Sequence, residues 1–286
     1  MRFLLGLTLV LPLCCDALQA QDAPPQDVRE IVLRSLQRDD ANGKIARQYT
    51  FVERNEQRQI GGDGKVRKRE SKTWDVTILE GTPYRRLIAR NDQPLAADEE
   101  KKEAENLQRS IEQRRNETPA QRERRLADSD AKRTKQLNEM RQIPDAFDLK
   151  IVGDDTVAGA PAWVIAAYPR KGYRPRGGIT RFFPKVKGKV WITKTDYQWV
   201  RAEAEAIETI SFGLFIARIH KGTRASFEQT RVNSEVWLPR QVAVQFAGRI
   251  ALFKMMRGEV DISFRDYRKF QAESRITDIT EVPKEP

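Results

Sequence analysis

Residues 189–208, KVWITKTDYQWVRAEAEAIE, decide the fold. Val190 and Ile192 fall on one side of an extended chain and Trp191 on the other. The same alternation continues through 210–222, ISFGLFIARIHKG, with Phe212, Leu214 and Ile216 in phase. It runs on through 223–248, TRASFEQTRVNSEVWLPRQVAVQFAG, with Val242, Val244 and Phe246 in phase, and ends in 249–267, RIALFKMMRGEVDISFRDY. A period of two, broken by turn residues, predicts antiparallel strands with one apolar and one wet face. Either the protein's own helices fill the apolar face, or a ligand does.

Upstream, Gln26 to Gln37 (QDVREIVLRSLQ) places Val28, Ile31, Val32 and Leu36 at helical spacing, with Pro24 and Pro25 stopping any extension backwards. This predicts one amphipathic helix whose stripe needs a sheet to lie on. From Arg47 the period changes. Two long strands flank Gly61 to Gly64, and a third short strand follows the turn at Gly81 and ends at Pro94.

Composition then shifts. Ala96 to Arg141 holds eleven acidic and twelve basic residues and no glycine. Thr118-Pro119-Ala120-Gln121 is a capping-box pattern with proline at the first helical position. Helices are expected from about Asp98 to Arg115 and from Pro119 to about Gln142. Leu107 and Ile111, then Leu126, Leu137 and Met140, give them little to bury, so the pair is expected to project or lie along the rim. With charges so nearly balanced, the segment is read as a solvated helical insertion and not as a nucleic-acid surface. Pro144 ends it, and two more strands follow to Arg170. Residues 170–189 carry eight Lys or Arg and no acid, interleaved with Tyr173, Phe182 and Phe183. This loop is expected to be irregular, with Arg174, Arg176, Arg181 and Lys185 able to hold phosphate or carboxylate head groups and Phe182 and Phe183 at an apolar boundary.

The chain has 286 residues and a formal charge of +11. Arg2, the apolar run Phe3 to Leu13 and Leu18-Gln19-Ala20 read as a secretory signal peptide over 1–20, too short to span a bilayer. Export to the periplasm follows, with 21–286 as a single domain. Leu13 before Cys14 suits lipoprotein processing poorly, so a lipid-anchored form fits less well. Both cysteines fall inside the signal, so the mature chain is expected to lack thiol chemistry and Cys-ligated metal. The excess of positive charge suits an anionic membrane surface, and an exported chain has little occasion to meet nucleic acid.

Recognisable catalytic patterns are missing. His220 is the only histidine, near a strand end, which limits any His-based triad or metal site. There is no P-loop, dinucleotide-binding glycine pattern, zinc-protease motif or G-x-S-x-G. No enzyme, cofactor or metal is expected.

Gly188 to Ile192 (GKVWI), Val232 to Pro239 (VNSEVWLP) and Asp266 to Phe270 (DYRKF), behind a signal peptide, a helix and a meander, resemble the outer-membrane lipoprotein-sorting superfamily, LolA/LolB-like and RseB-related. Two departures are Thr193, where many relatives carry Asp, and the insertion at 96–142. The resemblance implies an α+β fold: a strongly curved antiparallel β-sheet, or incomplete β-barrel, with helices on its concave side and a charged helical-hairpin insertion. It also implies a non-enzymatic carrier or binder of lipid or acylated lipoprotein, or else an envelope-sensing module that binds a partner protein. The expected lipid cavity is lined by Trp163, Ile165, Val190, Ile192, Leu214, Ile216, Val244 and Phe246, with the basic loop at its entrance.

Overall fold

A computed structural model describes residues 27–212, 217–250 and 254–270. The signal segment, Leu214, Ile216 and the C-terminal tail lie outside them. Helix α1 (Val28–Ala46) comes first, then strands β1 (Tyr49–Ile60), β2 (Val66–Leu79), β3 (Thr82–Arg90) and β4 (Gln93–Pro94). Helices α2 (Ala97–Arg115), α3 (Pro119–Met140) and α4 (Ile143–Ala146) form the insertion and its exit. Strands β5 (Phe147–Val157) and β6 (Ala160–Pro169) lead to a 3-10 helix, Gly178–Lys185. The remaining strands are β7 (Val186–Thr193), β8 (Trp199–Ala206), β9 (Ile210–Phe212), β10 (Ala217–Ile219), β11 (Arg224–Val232), β12 (Val236–Ile250) and β13 (Lys254–Lys269).

All these strands join one open, curved antiparallel sheet ordered β4-β3-β2-β1-β13-β12-β11-β8-β7-β6-β5, with β10 on β12 and β9 on β10. Neighbours in sequence are mostly neighbours in space, as a meander requires. The exceptions are β8 on β11, β10 on β12, and β1 on β13, the last of which brings the first and last strands together. Register shifts at Thr50/Val52, Thr73/Trp74, Ile151/Gly153, Trp191/Ile192 and Glu228/Gln229 put bulges in the strands, and bulges add twist and bend. The β2–β3 connection is two residues long, Glu80 at φ 47 and Gly81 at φ 84. Both central residues are left-handed, the hairpin geometry that matches strand twist.

Helix α1 runs further than its periodicity suggests. Asp27 caps the backbone N–H of Arg29 at 2.9 Å, and the helix continues through Asp39, Asp40, Asn42 and Gly43 to Ala46. Tertiary contacts carry it past these weak helix formers. The Asn42 amide bonds both backbone groups of Trp237, at 2.7 and 2.8 Å. Gly43 lets the Arg133 guanidinium of α3 pass where a Cβ would stand. Ile31, Val32 and Leu36 pack on Ile165, Val190 and Ile192, joined by Trp163, Leu149, Ile151 and Trp199. Ser35, fully buried, donates to the Val32 carbonyl at 2.7 Å and accepts from the Trp199 indole.

The insertion does not project. On α2, Leu107 and Ile111 pack on Leu79 and Tyr84. The start of α3 is tied to the β2–β3 turn by Arg125, which reaches the Thr82 hydroxyl at 2.9 Å and the Glu80 carbonyl at 3.1 Å. Its middle is held on α1 by Arg133, which donates to the Asp40 carbonyl at 3.0 Å. Glu139 near its end lies against Gly178. The expected capping box at Thr118 and Gln121 is present. Polar latches do what the thin apolar stripe cannot.

On the opposite face of β1, Glu56 is 7% exposed and accepts from Arg54 at 2.6 Å and Arg69 at 2.7 Å. The Arg69 contact first, and then Arg54, hold its carboxyl below the usual glutamate range against the cost of burial. That face is charged and internally paired; the α1 face is apolar.

Ile192 is 0% exposed, and Ile192→Ala should cost about 2–5 kcal/mol through lost packing and a residual cavity. Val152, 48% exposed on the edge strand β5, should tolerate alanine within about 0.5 kcal/mol. Urea unfolding monitored by tryptophan fluorescence reads both, and equal effects would contradict the packing described.

Candidate functional site

Side chains directly opposite each other in a ladder share a face, so the register lays out the α1 side of the sheet row by row. One row runs Val190, Ala202, Phe227, Val242 and Ile262. The next runs Gly188, Ala204, Ala225, Val244 and Val260. Phe246 lies beyond, its ring filling the place a Cβ would take at Gly258. At the β7 end α1 seals the first row. Further along, Phe227, Val242, Val244, Phe246, Val260 and Ile262 are half-buried, and none belongs to a buried cluster among the described residues. Gly188, Ala202, Ala204 and Ala225 leave a low floor beside these larger walls.

The expected cavity residues therefore divide. Trp163, Ile165, Val190 and Ile192 come together, but beneath α1, which occupies the space above them. Val244 and Phe246 lie further along the same face, outside the cluster beneath α1. The alanines of 201–206 and Phe227 were missed by the sequence reading, although the alternation AEAEA carries them.

The basic loop is more ordered than expected. Phe183 is not at an entrance: it is 8% exposed and packs on Phe147 at 5.3 Å between ring centres and on Tyr173 at 6.4 Å. The Tyr173 hydroxyl donates to Gln142 at 2.9 Å, and the Thr180 hydroxyl to the Gly177 carbonyl at 2.7 Å. These anchors fold the segment into the 3-10 helix. Arg174, Arg176 and Arg181 remain exposed, with the Arg181 guanidinium 4.6 Å from the centre of the half-buried Phe182 ring. Lys185 is half-buried. His220 directly follows β10, its backbone N–H on the Ala247 carbonyl at 2.8 Å. No group of three or more His, Cys, Asp or Glu is arranged for a metal among the described residues.

A chamber of about 460 Å³ lies between α1, α3, the 3-10 helix and the β11–β12 hairpin. Leu137, Met140, Ile179, Trp237 and Pro239 give it apolar walls, and Asp39 and Arg133 reach it from the two helices. Burial pushes the Asp39 carboxyl up from its ordinary value, against the opposing pull of Arg133 and of the Gln198 amide at 3.4 Å.

No protein-family model matches the chain, and no curated protein sequence is similar to it. Several solved structures are. A DUF1329 family protein from Desulfovibrio piger is 11% identical, over 86% of this chain and 95% of that one, with a TM-score of 0.29. A LolA superfamily protein from Nitrosomonas europaea is 9% identical, over 85% and 93%, with a TM-score of 0.27. MucB in the Pseudomonas aeruginosa MucA/MucB complex is 12% identical, over 86% and 100%, with a TM-score of 0.25. At scores of this size, the fold rests on the strand pairing set out above and not on these likenesses.

Because the raised carboxyl binds its proton more tightly folded than unfolded, ionised Asp39 opposes folding above its folded pKa. The penalty fades as pH falls through that value toward 3.8. Asp39→Asn should therefore raise the urea midpoint at pH 7 and leave it unchanged at pH 3. A lower midpoint at pH 7 would show that the attraction to Arg133 outweighs desolvation.

Proposed function

We propose that this protein is a non-enzymatic carrier or binder of the cell envelope, holding the acyl chain of a lipid or lipoprotein on the α1 side of its sheet. The observation that supports this reading is the half-buried apolar field of Phe227, Val242, Val244, Val260 and Ile262, outside every buried cluster among the described residues, over a floor of glycine and alanine. Apolar area left in water forgoes roughly 25 cal/mol per Å², and an extended hydrocarbon chain laid along the rows recovers it without needing a polar partner. Arg174 and Arg176 stand in solvent and suit an anionic head group or membrane surface. Export by the segment 1–20 belongs to the same proposal.

Protein purified gently from an envelope fraction should carry acyl lipid detectable by mass spectrometry and should take up a fluorescent fatty acid. Val244→Asp or Ile262→Asp should weaken that uptake about tenfold or more, with an unchanged circular dichroism spectrum. Empty protein that takes up no probe would sink the reading.

A second reading, a sensing module that binds a partner protein, draws on the exposed outer side of α2, where Lys101 and Lys102 stand in solvent. The solved MucB structures contain MucA. Removing 98–142 would also take away the Arg125 and Arg133 latches, so reversing Lys101 and Lys102 to Glu separates the two readings better. Partner capture from envelope extract lost, with fatty-acid uptake intact, would favour the module.

A further inference from the structure

The face turned away from α1 carries a groove of about 570 Å³ that none of the expected site residues lines. It crosses β6, β7, β8, β11 and β12, a span of roughly 19 Å at the usual strand spacing. Register fixes its two banks. Lys187, Glu205, Arg224 and Gln245 stand in one cross-strand row. Lys189, Glu203, Ser226 and Ala243 stand in the next, where the last two are short enough to open the groove between them.

Three features define what it fits. First, its polar groups are only partly spent on one another. Lys187 and Arg224 approach Glu205 no closer than 3.8 and 3.6 Å, long for charge-assisted hydrogen bonds. The side chains of Lys189, Ser226, Gln245 and Tyr168 have no hydrogen-bond or ion-pair partner among the described residues. Donors and acceptors are thus offered together. Second, the carboxylates of β8 stand between the lysines of β7 and Arg224 of β11, so a polyanion would meet its own sign on β8 and a polycation on both flanks. Third, Tyr168 stands at one end, 57% exposed, presenting an aromatic face beside a polar trough.

Strand addition by a peptide is excluded on geometry. The five strands that the groove crosses, β6, β7, β8, β11 and β12, are interior to the sheet, each paired with a neighbour on both sides. A ligand here must bind through its own side groups, be rich in both donors and acceptors, carry little net charge and offer a flat C–H surface to stack on tyrosine.

We infer that the groove is an oligosaccharide-binding site. Sugar hydroxyls donate to Glu203, Glu205 and Gln245 and accept from Lys187, Lys189 and Arg224, while the C–H face of a ring lies on Tyr168. The groove is on the far side of the sheet from the apolar rows, so it does not depend on the lipid reading.

The test is an array of short, fluorescently labelled oligosaccharides, uncharged and N-acetylated, with dextran sulfate as a polyanion control, probed with the full chain. At least one uncharged class should be retained. Tyr168→Ala and Gln245→Ala should each weaken it about tenfold, Tyr168→Phe should leave it nearly unchanged, and Val244→Asp, on the other face, should have no effect. Retention of none of the uncharged glycans, retention indifferent to Tyr168→Ala, or preference for dextran sulfate would each overturn the inference.

Discussion

The seat of α1 on β5, β6 and β7 is the contact the rest of the molecule depends on. Ile165 and Ile192 are fully buried there, and Ser35, the one polar group driven into the contact, is satisfied on both sides by the Val32 carbonyl and the Trp199 indole. That pairing fixes the rotation of the helix, because an unpartnered hydroxyl at this depth would cost about 1–3 kcal/mol. With the rotation fixed, the far end of α1 delivers Asn42 to the backbone of Trp237 and the chain to Tyr49, where β1 begins. One helix therefore sets both the buried end of the sheet and the strand that meets β13.

A single helix cannot seal a sheet this wide. Nineteen residues make a rod about 28 Å long. The main path of the sheet runs through eleven strands, about 48 Å at the usual spacing. Helix α3 does not make up the difference: no residue of it is buried, and it is held by arginines on Glu80, Thr82 and Asp40. The half-buried apolar rows over β11, β12 and β13, which no described helix joins to a buried cluster, follow from that shortfall. A covering element held chiefly by ion pairs and carbonyl contacts, with Met140 packed on the α1 cluster, stabilises the fold without needing a full apolar stripe, which explains how so charged a segment can lie against the body of the protein.

Much of this was legible in the sequence. Period-two alternation identified the strands, and Val190, Ile192 and Trp191 fall on the faces it assigned them. Thr118 and Gln121 marked the start of α3 through chemistry local to one turn. What the sequence concealed was long-range. Nothing within residues 38–46 announces that α1 continues, because its support comes from Trp237, almost two hundred positions away. Phe183 looked like a loop aromatic because its partners, Phe147 and Tyr173, are assembled only by the fold. Strand phase alone points to the expected cavity residues. Phase tells which face a side chain shares but not how much of that face a helix covers, so Trp163 and Ile165 were grouped with Val244 although α1 covers only the first two.

The two faces differ for one further reason. On the α1 side the middle rows are built from Ala, Val, Phe and Ile, and the polar residues Asn55 and Gln57 appear only where the rows reach β1. On the other side the same strands carry Lys, Glu and Arg in alternating sign, and Glu56 is ringed by arginines. Strands β7, β8, β11, β12 and β13 thus each contribute to two unlike surfaces separated by one backbone thickness. Because successive side chains point to opposite faces, a substitution on one surface leaves the chemistry of the other untouched, provided the register holds. Two kinds of ligand, one apolar and one polar, can be served by the same strands without competing for a side chain.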